Sequence, residues 1–305
     1  MRSLLSNDNN TSLISVLSPA EISEKWSASL GVDVGDDFRA LEKIEYWQCD
    51  TTGLHWYSPE GAAGDEHLYA QLQKFEWYYD SDKWEFDAAL SLIPRESRIL
   101  EVGVGVGHFM GKAKRNGHHV SGVELNTKAA EYVREQGFEV FERDLNELGS
   151  HNSEPFDVVC SFQVLEHVSD PRSFIEGMIG VLKPGGKIIL SVPNAAVMRR
   201  IDPENEDLLN KPPHHVTHWD EDVFRSLEGI FPLKVRSVHR EPLARYHVKW
   251  FVSSYFRKLL PFGGKRLRRY MVNRYTTFPF QWILYAGLRK WIPGHTILVE
   301  LEMSR

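Results

Sequence analysis

The chain has 305 residues, of which 42% are hydrophobic and 26% charged, a composition typical of a globular protein with one or two domains. Its two cysteines, Cys49 and Cys160, exclude a disulfide framework and a four-cysteine zinc site, and they fit a reducing compartment. The net charge is −6, no strongly apolar uncharged run reaches the ~20 residues that span a bilayer, and the polar N-terminus lacks a signal-peptide core, so we expect a cytoplasmic protein.

The N-terminal part of the chain shows little periodicity. Residues 1–18 are rich in Ser and Asn, which predicts a mobile tail. Residues 19–94 form a predicted cap region, and within it Glu66–Leu92 is predicted as one helix that is dense in aromatic side chains. Pro94 ends this helix.

A regular alternation of short apolar segments and helical segments begins at residue 95. The predicted strands are Arg98–Val102, His119–Leu125, Phe138–Arg143, Phe156–Phe162 and Lys187–Val192. The predicted helices between them are Phe109–Arg115, Thr127–Gln136 and Pro171–Leu182. Such an alternation predicts a parallel sheet with helices on both faces. Two later strands, Leu233–Val238 and Thr296–Glu302, complete a sheet domain that is predicted over 95–241 and 296–305.

A glycine-rich turn follows the first predicted strand, with Gly103, Gly105 and Gly107 at alternate positions after Glu101. Glycines here allow a tight turn and close approach of a ligand to the main chain, beside the free N–H groups of a helix N-terminus. The spacing lacks the third glycine of a dinucleotide fingerprint, because His108 stands at its position. An NAD site is therefore the weaker alternative.

Two further acidic residues follow the next two strands. Glu124 ends the second strand, where a carboxylate can accept bonds from both ribose hydroxyls. Asp144 follows the third strand beside Leu145, and such a pair can bind an adenine amino group and pack against its ring. Either acid alone is as well explained by a solvated loop or a helix cap. Three acids at the carboxyl ends of successive strands favour a nucleotide-type site.

These motifs, with Phe162–Val168 and Leu182–Gly186, resemble those of class I S-adenosylmethionine-dependent methyltransferases. Within that family the chain resembles the ubiquinone-biosynthesis-like small-molecule group, which carries the Leu-Glu-His-Val element. The resemblance covers about residues 95–240. It implies a Rossmann-like, seven-stranded, mostly parallel sheet with an antiparallel last strand, and S-adenosylmethionine as the cofactor.

The resemblance also implies roles for individual residues. It implies cofactor contacts for Glu101, Gly103, Gly105 and Gly107 at the methionine part, Glu124 at the ribose, Asp144 and Leu145 at the adenine, and Gln163 near the sulfonium. The aromatic helix resembles the cofactor-capping helices of this group, which implies a further contact from Tyr79; surface packing is the alternative for that side chain.

Histidines are the candidate catalytic residues, because transfer to a hydroxyl needs a group that removes the acceptor proton near neutral pH. His167 follows the fourth strand, and His214 and His215 lie in a Pro-His-His element that the resemblance places on the acceptor side. A structural histidine bonded to backbone is an equally good interpretation of each. His214, His215 and His218 have a spacing that suits a metal, but we expect no metal, since no cysteine lies nearby and Asp220 is better explained as a helix N-cap.

The predicted function is direct transfer of a methyl group from S-adenosylmethionine to a small-molecule acceptor, with a hydroxyl of a glycan or lipid precursor as the expected acceptor. The alternatives are an NAD-dependent oxidoreductase and a cofactor-binding scaffold without catalysis. The sequence does not choose between oxygen, nitrogen and carbon acceptors, which all occur on this fold.

The C-terminal region has a charge pattern of its own. No Asp or Glu occurs from Pro242 to Val299, although eleven Lys and Arg lie there among many aromatic residues. Residues 242–295 are predicted as a basic aromatic insertion between the last two strands. It is either a lid over the substrate or, through residues 245–294, a contact with an anionic membrane surface, which would hold the protein peripherally at the inner face. The acidic remainder of the chain disfavours nucleic acid as a partner.

Overall fold

The computed structural model describes residues 1–72, 74–75, 83–151, 154–202, 204–259 and 272–304. The strands are β1 (Thr11–Leu17), β2 (Ile44–Cys49), β3 (His55–Ser58), β4 (Arg98–Val102), β5 (His119–Val123), β6 (Glu139–Phe141), β7 (Phe156–Phe162), β8 (Leu182–Pro193), β9 (Thr217–His218), β10 (Leu233–Pro242) and β11 (Pro293–Met303). The helices are α1 (Pro19–Leu30), α2 (Glu66–Leu72), α3 (Trp84–Leu92), α4 (His108–Arg115), α5 (Thr127–Glu135), α6 (Leu145–His151), α7 (Pro171–Gly180), α8 (Ala195–Ile201), α9 (Glu221–Ser226), α10 (Val248–Leu259) and α11 (Arg274–Tyr285).

The larger sheet has seven strands in the order β10-β11-β8-β7-β4-β5-β6. Strands β4 to β8 pair in parallel, and β11 runs antiparallel to both β8 and β10. The predicted Rossmann-like sheet with an antiparallel last strand is therefore confirmed. Because β4 to β8 run the same way, their carboxyl ends meet at one edge of the sheet, where α/β proteins bind their ligands.

Apolar side chains on both faces of the sheet explain why its central strands are uninterrupted hydrophobic runs. In β7, Val159 packs into one apolar core layer with Leu100 and Leu190. Val158 and Cys160 belong to the layer on the other side, which also contains Phe109. Polar side chains fix the helix starts, since Asn126, Asp170 and Asp220 each accept a backbone N–H at the N-termini of α5, α7 and α9. The expected N-cap role of Asp220 is thus confirmed.

A second sheet, with the order β1-β2-β3-β9, corrects the prediction of a mobile N-terminal tail. Strand β1 pairs antiparallel with β2 from Thr11 to Leu17, and the side chain of Leu5 is fully buried in the main core. The Arg172 guanidinium donates a hydrogen bond of 2.5 Å to the Leu5 carbonyl. The polar composition was misleading because backbone hydrogen bonds hold this edge strand while most of its side chains face solvent.

The predicted aromatic helix over Glu66–Leu92 is also corrected, because two separate helices, α2 and α3, begin and end within this range. Tyr79, the predicted cofactor contact on that helix, lies outside the described residues. Strand β8 starts at Leu182, before the predicted Lys187, so Leu182 belongs to this strand and not to the helix predicted over Pro171–Leu182. The basic segment does lie between β10 and β11 and contains α10 and α11.

Replacing Leu5 with Ala tests whether the N-terminal segment is an ordered part of the core. We expect Leu5→Ala to lower the free energy of unfolding by about 2–5 kcal/mol, since it leaves a cavity beneath a fully buried side chain. The matched variant Leu13→Ala, at a position on β1 that is 46% exposed, should cost less than about 1 kcal/mol. Urea unfolding followed by circular dichroism measures both. Equal unfolding midpoints for the two variants would contradict the described packing.

Candidate active site

A cleft of about 1680 Å³ lies at the carboxyl ends of the parallel strands. A single small-molecule site occupies roughly 300–1,000 Å³, so this cleft has room for two molecules side by side. Its wall includes most of the predicted site residues: Glu101, Gly103, Gly105, Glu124, Asp144, Leu145, Gln163, His167, His214 and His215. Gly107 lies behind this wall, at the start of α4.

Glu101, at the end of β4, is a buried carboxyl at one end of this cleft. Its side chain is 3% exposed, and its Oε2 atom has no hydrogen-bond partner among the described residues. Burial raises the pKa of Glu101 well above its usual range, and the charge of Lys83 opposes that shift in part. A cationic ligand group would supply the missing partner and favour the ionised carboxylate. The amino group of an amino-acid ligand meets this requirement.

The glycine loop after Glu101 has a conformation that other residues rarely adopt. Gly103 has φ +78°, and a Cβ atom there would lie 2.5 Å from Cγ2 of Val164. Glu124 holds the next turn, because its Oε2 accepts the Gly105 N–H at 3.1 Å and its Oε1 accepts the Asn126 N–H at 2.9 Å. The carboxylate that was expected at a ribose therefore also fixes the loop that would contact the methionine part.

The residues expected at the adenine and the sulfonium differ in exposure, contacts and backbone conformation. Asp144 is exposed, and its Oδ1 accepts the Asn146 N–H at 2.8 Å, as a helix-capping carboxylate does. Leu145 is buried in the main core, so only part of it reaches the cleft. Gln163 has φ +56°, a strained conformation for a residue other than glycine, and such strain concentrates at functional sites.

Three histidines converge on the other side of the cleft. The ring centroids of His167 and His214 are 4.7 Å apart, those of His167 and His215 are 5.0 Å apart, and those of His214 and His215 are 4.4 Å apart. His218 is not part of this group, because its Nδ1 bonds the Tyr46 hydroxyl and its Nε2 bonds a backbone carbonyl. The three histidines that lie together therefore differ in one member from the set whose spacing suits a metal.

Hydrogen bonds fix the orientation of each imidazole in the cluster. The Nδ1 atoms of His167 and His214 donate to the carbonyls of His214 and Leu209, at 2.5 and 2.9 Å, and Nδ1 of His215 donates to Oδ1 of Asn210 at 3.3 Å. Since a carbonyl oxygen only accepts, the proton lies on Nδ1 and Nε2 keeps its lone pair. Burial lowers the pKa of His167 to about 3 and that of His214 to about 4, so both are neutral at pH 7.

Buried carboxyls beside the cluster were missed as functional candidates. Glu166 is 2% exposed, its Oε2 has no hydrogen-bond partner in the part of the chain that the structure describes, and burial raises its pKa to about 8. Its Oε1 lies 3.9 Å from Nε2 of His167. Glu85 and Glu241 also line the cleft, and burial raises the pKa of Glu241 to about 7. Glu166 stood within the Leu-Glu-His-Val element, which was the one available signal.

Comparisons with known proteins agree on the type of domain. A family model described as "Methyltransferase domain" matches residues 77–245. A ubiquinone biosynthesis O-methyltransferase from Aeromonas salmonicida is 32% identical over 168 residues, which cover 53% of this chain and 64% of that protein. A mitochondrial ubiquinone biosynthesis O-methyltransferase from Dictyostelium discoideum is 26% identical over 201 residues, covering 58% and 62%. The chain thus spans less than two thirds of these relatives.

A solved structure of a SAM-dependent methyltransferase from Archaeoglobus fulgidus aligns with 77% of this chain and 99% of its own, at 17% identity and a TM-score of 0.48. The family model covers more than half of the chain, over the same region that forms strands β4 to β10 and the cleft at their edge. Because this family model matches more than half of the chain, the chain belongs to the class I S-adenosylmethionine-dependent methyltransferases.

Proposed function

We propose that the protein transfers a methyl group from S-adenosylmethionine to a hydroxyl of a quinone precursor. One observation carries the proposal: a single cleft joins the buried carboxyl of Glu101 and the glycine loop to the three-histidine cluster. The names of the curated relatives support oxygen as the acceptor atom and a quinone precursor as the molecule. They give no support to a glycan or other lipid precursor.

The cofactor side of the cleft is suited to hold a charged donor. S-Adenosylmethionine, when bound, supplies a methyl group bonded to a positively charged sulfur. An acceptor oxygen would attack the methyl carbon directly and displace the sulfur. Glu101 would accept the donor's ammonium group, Gly103 and Gly105 would let the main chain approach it, and Glu124 would bind the ribose. Holding two reactants in line is worth about 7–11 kcal/mol in well-oriented systems, so positioning is the main catalytic contribution of these residues.

The histidine cluster is suited to the acceptor side. His214 and His215 present Nε2 lone pairs in a buried environment, and His167 completes the group from the short helix after β7. A hydroxyl bound there would give its proton to one of these nitrogens as its oxygen attacks. The two other hypotheses, an NAD-dependent oxidoreductase and an inactive scaffold, have no observation in their favour, and the two experiments below distinguish them.

Glu124→Ala tests the cofactor assignment. The variant loses a carboxylate that accepts two N–H groups and would accept the ribose hydroxyls, at about 1.5–3 kcal/mol per charge-assisted bond, so affinity for S-adenosylmethionine should fall at least about tenfold. Calorimetric titration measures the affinity, and Glu131→Ala, an exposed acid on α5, is the matched control. Binding of NADH in place of S-adenosylmethionine by the wild type would overturn the assignment.

A double variant, His214→Ala with His215→Ala, tests the acceptor side. Loss of proton acceptance typically costs about 10²–10⁴ in rate, so turnover with a catechol-type quinone precursor should fall by at least about 100-fold. Affinity for S-adenosylmethionine should stay within about twofold of the wild type, and His119→Ala, at an exposed position, should be fully active. Unchanged turnover in the double variant would remove both residues from the mechanism, and a wild type that binds the cofactor without turnover would favour the scaffold.

We further propose that the basic aromatic insertion contacts an anionic membrane surface. Trp282 and Trp291 are 63% and 86% exposed, and Phe278 and Phe280 are exposed with them, in a segment without acidic residues. Aromatic rings among basic residues suit the headgroup region of anionic lipid. Within the described residues, no helix is long and apolar enough to cross a membrane. Tyr246 and His247, at the start of the insertion, line the cleft, so a lid role is compatible with membrane contact.

Vesicle co-sedimentation tests this contact. The full chain should bind phosphatidylglycerol-containing vesicles and not neutral phosphatidylcholine vesicles, and raised salt should weaken binding. Trp282→Ala with Trp291→Ala should weaken it by at least about tenfold, since each ring loses apolar burial at the interface. Tyr132→Ala, an exposed aromatic on α5, is the control and should bind as the wild type does. Equal binding to both vesicle types, or none, would contradict the proposal.

A further inference from the structure

The three-histidine cluster has the composition of a metal site as well as that of a proton acceptor. Among the described residues, one ligand atom from each of His167, His214 and His215 lies within 4.8 Å of the other two. Three imidazole nitrogens about 2.0–2.1 Å from a tetrahedral zinc ion are roughly 3.3 Å apart. Side-chain rotations that bring these atoms together by about 1–1.5 Å would therefore form a three-histidine site with one open position.

Hydrogen bonds hold the backbone around the cluster, so metal binding would need movement of only a few side chains. The N–H groups of His214 and His215 both donate to the carbonyl of Lys211 at 3.0 Å. The Val216 N–H donates to the Glu166 carbonyl at 2.9 Å, which ties this loop to the short helix that carries His167. Two chain segments from different parts of the sequence thus hold their imidazoles next to one another.

The partners of the Nδ1 atoms are those that a metal-binding histidine needs. All three Nδ1 atoms donate to oxygen atoms: two backbone carbonyls and the Asn210 side chain. Metal-bound histidines typically donate their second ring N–H to a carbonyl or carboxylate, which fixes the tautomer and the ring orientation. The tautomer that these acceptors require leaves the Nε2 lone pairs directed away from those partners, as in a metal-bound histidine.

A buried carboxyl beside the cluster also suits a cation. Glu166 is a second and independent observation, because this buried side chain has an unpartnered oxygen among the described residues and its other oxygen lies 3.9 Å from Nε2 of His167. A cation bound at the cluster would place an opposite charge beside this carboxyl.

We propose that His167, His214 and His215 bind one divalent transition-metal ion, with zinc as the best fit, whose open position takes the acceptor's hydroxyl oxygen. Imidazole ligands favour zinc and its first-row neighbours over magnesium or calcium, which prefer oxygen. The role assigned to the ion rests on the proposed function. The binding of the ion does not, since it depends only on the three side chains.

The ion would also change the chemistry of the bound hydroxyl. A zinc ion lowers the pKa of a bound water from 15.7 to about 7, so a bound hydroxyl would ionise far more readily. With the ion bound, the three imidazole nitrogens are its ligands and no longer accept the proton, which would pass to water in the cleft. The hydroxyl oxygen would form the new bond to the methyl carbon, and the carbon–sulfur bond electrons would stay on sulfur.

Equilibrium dialysis of the full chain against Zn²⁺, followed by elemental analysis, tests the site directly. The wild type should retain about one zinc per chain. His167→Ala and His215→Ala should each weaken binding by at least about 100-fold, and Asn210→Ala, which removes only an orienting partner, by about 10–100-fold. His119→Ala should bind zinc as the wild type does. Substitution by Co²⁺ should give a visible spectrum of tetrahedral type that both histidine variants lose.

Three outcomes would overturn the proposal: no zinc retained by the folded wild type, retention that does not depend on His167 and His215, or full turnover after the metal is removed by dipicolinate. The Gln variants of both histidines, checked by circular dichroism, replace any Ala variant that fails to fold. Calorimetry with S-adenosylmethionine is run in parallel. Zinc binding at the cluster without cofactor binding would support the metal site and overturn the proposed function. Cofactor-dependent turnover without zinc would support the proposed function and overturn the metal site.

Discussion

A backbone hydrogen bond between two distant parts of the chain is the interaction on which the active-site geometry depends. The Val216 N–H donates to the Glu166 carbonyl at 2.9 Å, and next to it the Thr217 hydroxyl donates to the Leu165 carbonyl at 2.9 Å. This pair joins β9, an edge strand of the small sheet, to the end of β7 in the large sheet. The small sheet therefore does more than cover the core. It carries the Pro-His-His loop to the carboxyl edge of the parallel strands, where the cofactor residues already lie.

The carboxyl groups of the cleft are consistent with a positively charged donor. Glu101, Glu166 and Glu241 are buried around one space, and burial raises the pKa of each carboxyl. Removing ionised carboxylates from water is costly unless an opposite charge compensates. Both an ammonium group and a sulfonium offer that charge, and a metal at the histidine cluster would add to it. The ligands would thus stabilise groups that the protein alone leaves without partners.

The fold could be predicted where side-chain patterns record burial. Strand β7 was predicted with its correct ends, Phe156 and Phe162, because both of its faces are covered and all of its positions except Asp157 are buried. Strand β1 was missed because its order comes from backbone pairing, which leaves no hydrophobic pattern in an exposed edge strand. Similarly, one aromatic-rich pattern concealed the separate helices α2 and α3, since aromatic content does not mark a helix end.

The site could be predicted only where residues follow strands in a regular order. Glu101, Glu124 and Asp144 lie at or just after the carboxyl ends of parallel strands, so topology alone brings them to one edge. The histidine cluster is different. Sequence spacing groups His218 with His214 and His215, but it does not predict that His167, from a distant part of the chain, packs beside them instead. Glu85 and Glu241 come from α3 and β10, outside the motifs, and their proximity to the cleft is a product of tertiary packing.

The unpartnered carboxyl oxygens give an energetic reason to look for function here. A buried polar group without a hydrogen bond costs about 1–3 kcal/mol, and more if it is charged. Glu101 and Glu166 both carry such an oxygen among the described residues, and both face the same cleft. Apolar residues of similar size would remove this cost, whereas a ligand that supplies the missing partners would gain binding energy from it. Stability is lost where binding is gained, and this explains why these two unpartnered carboxyl oxygens lie where the cofactor and the acceptor would meet.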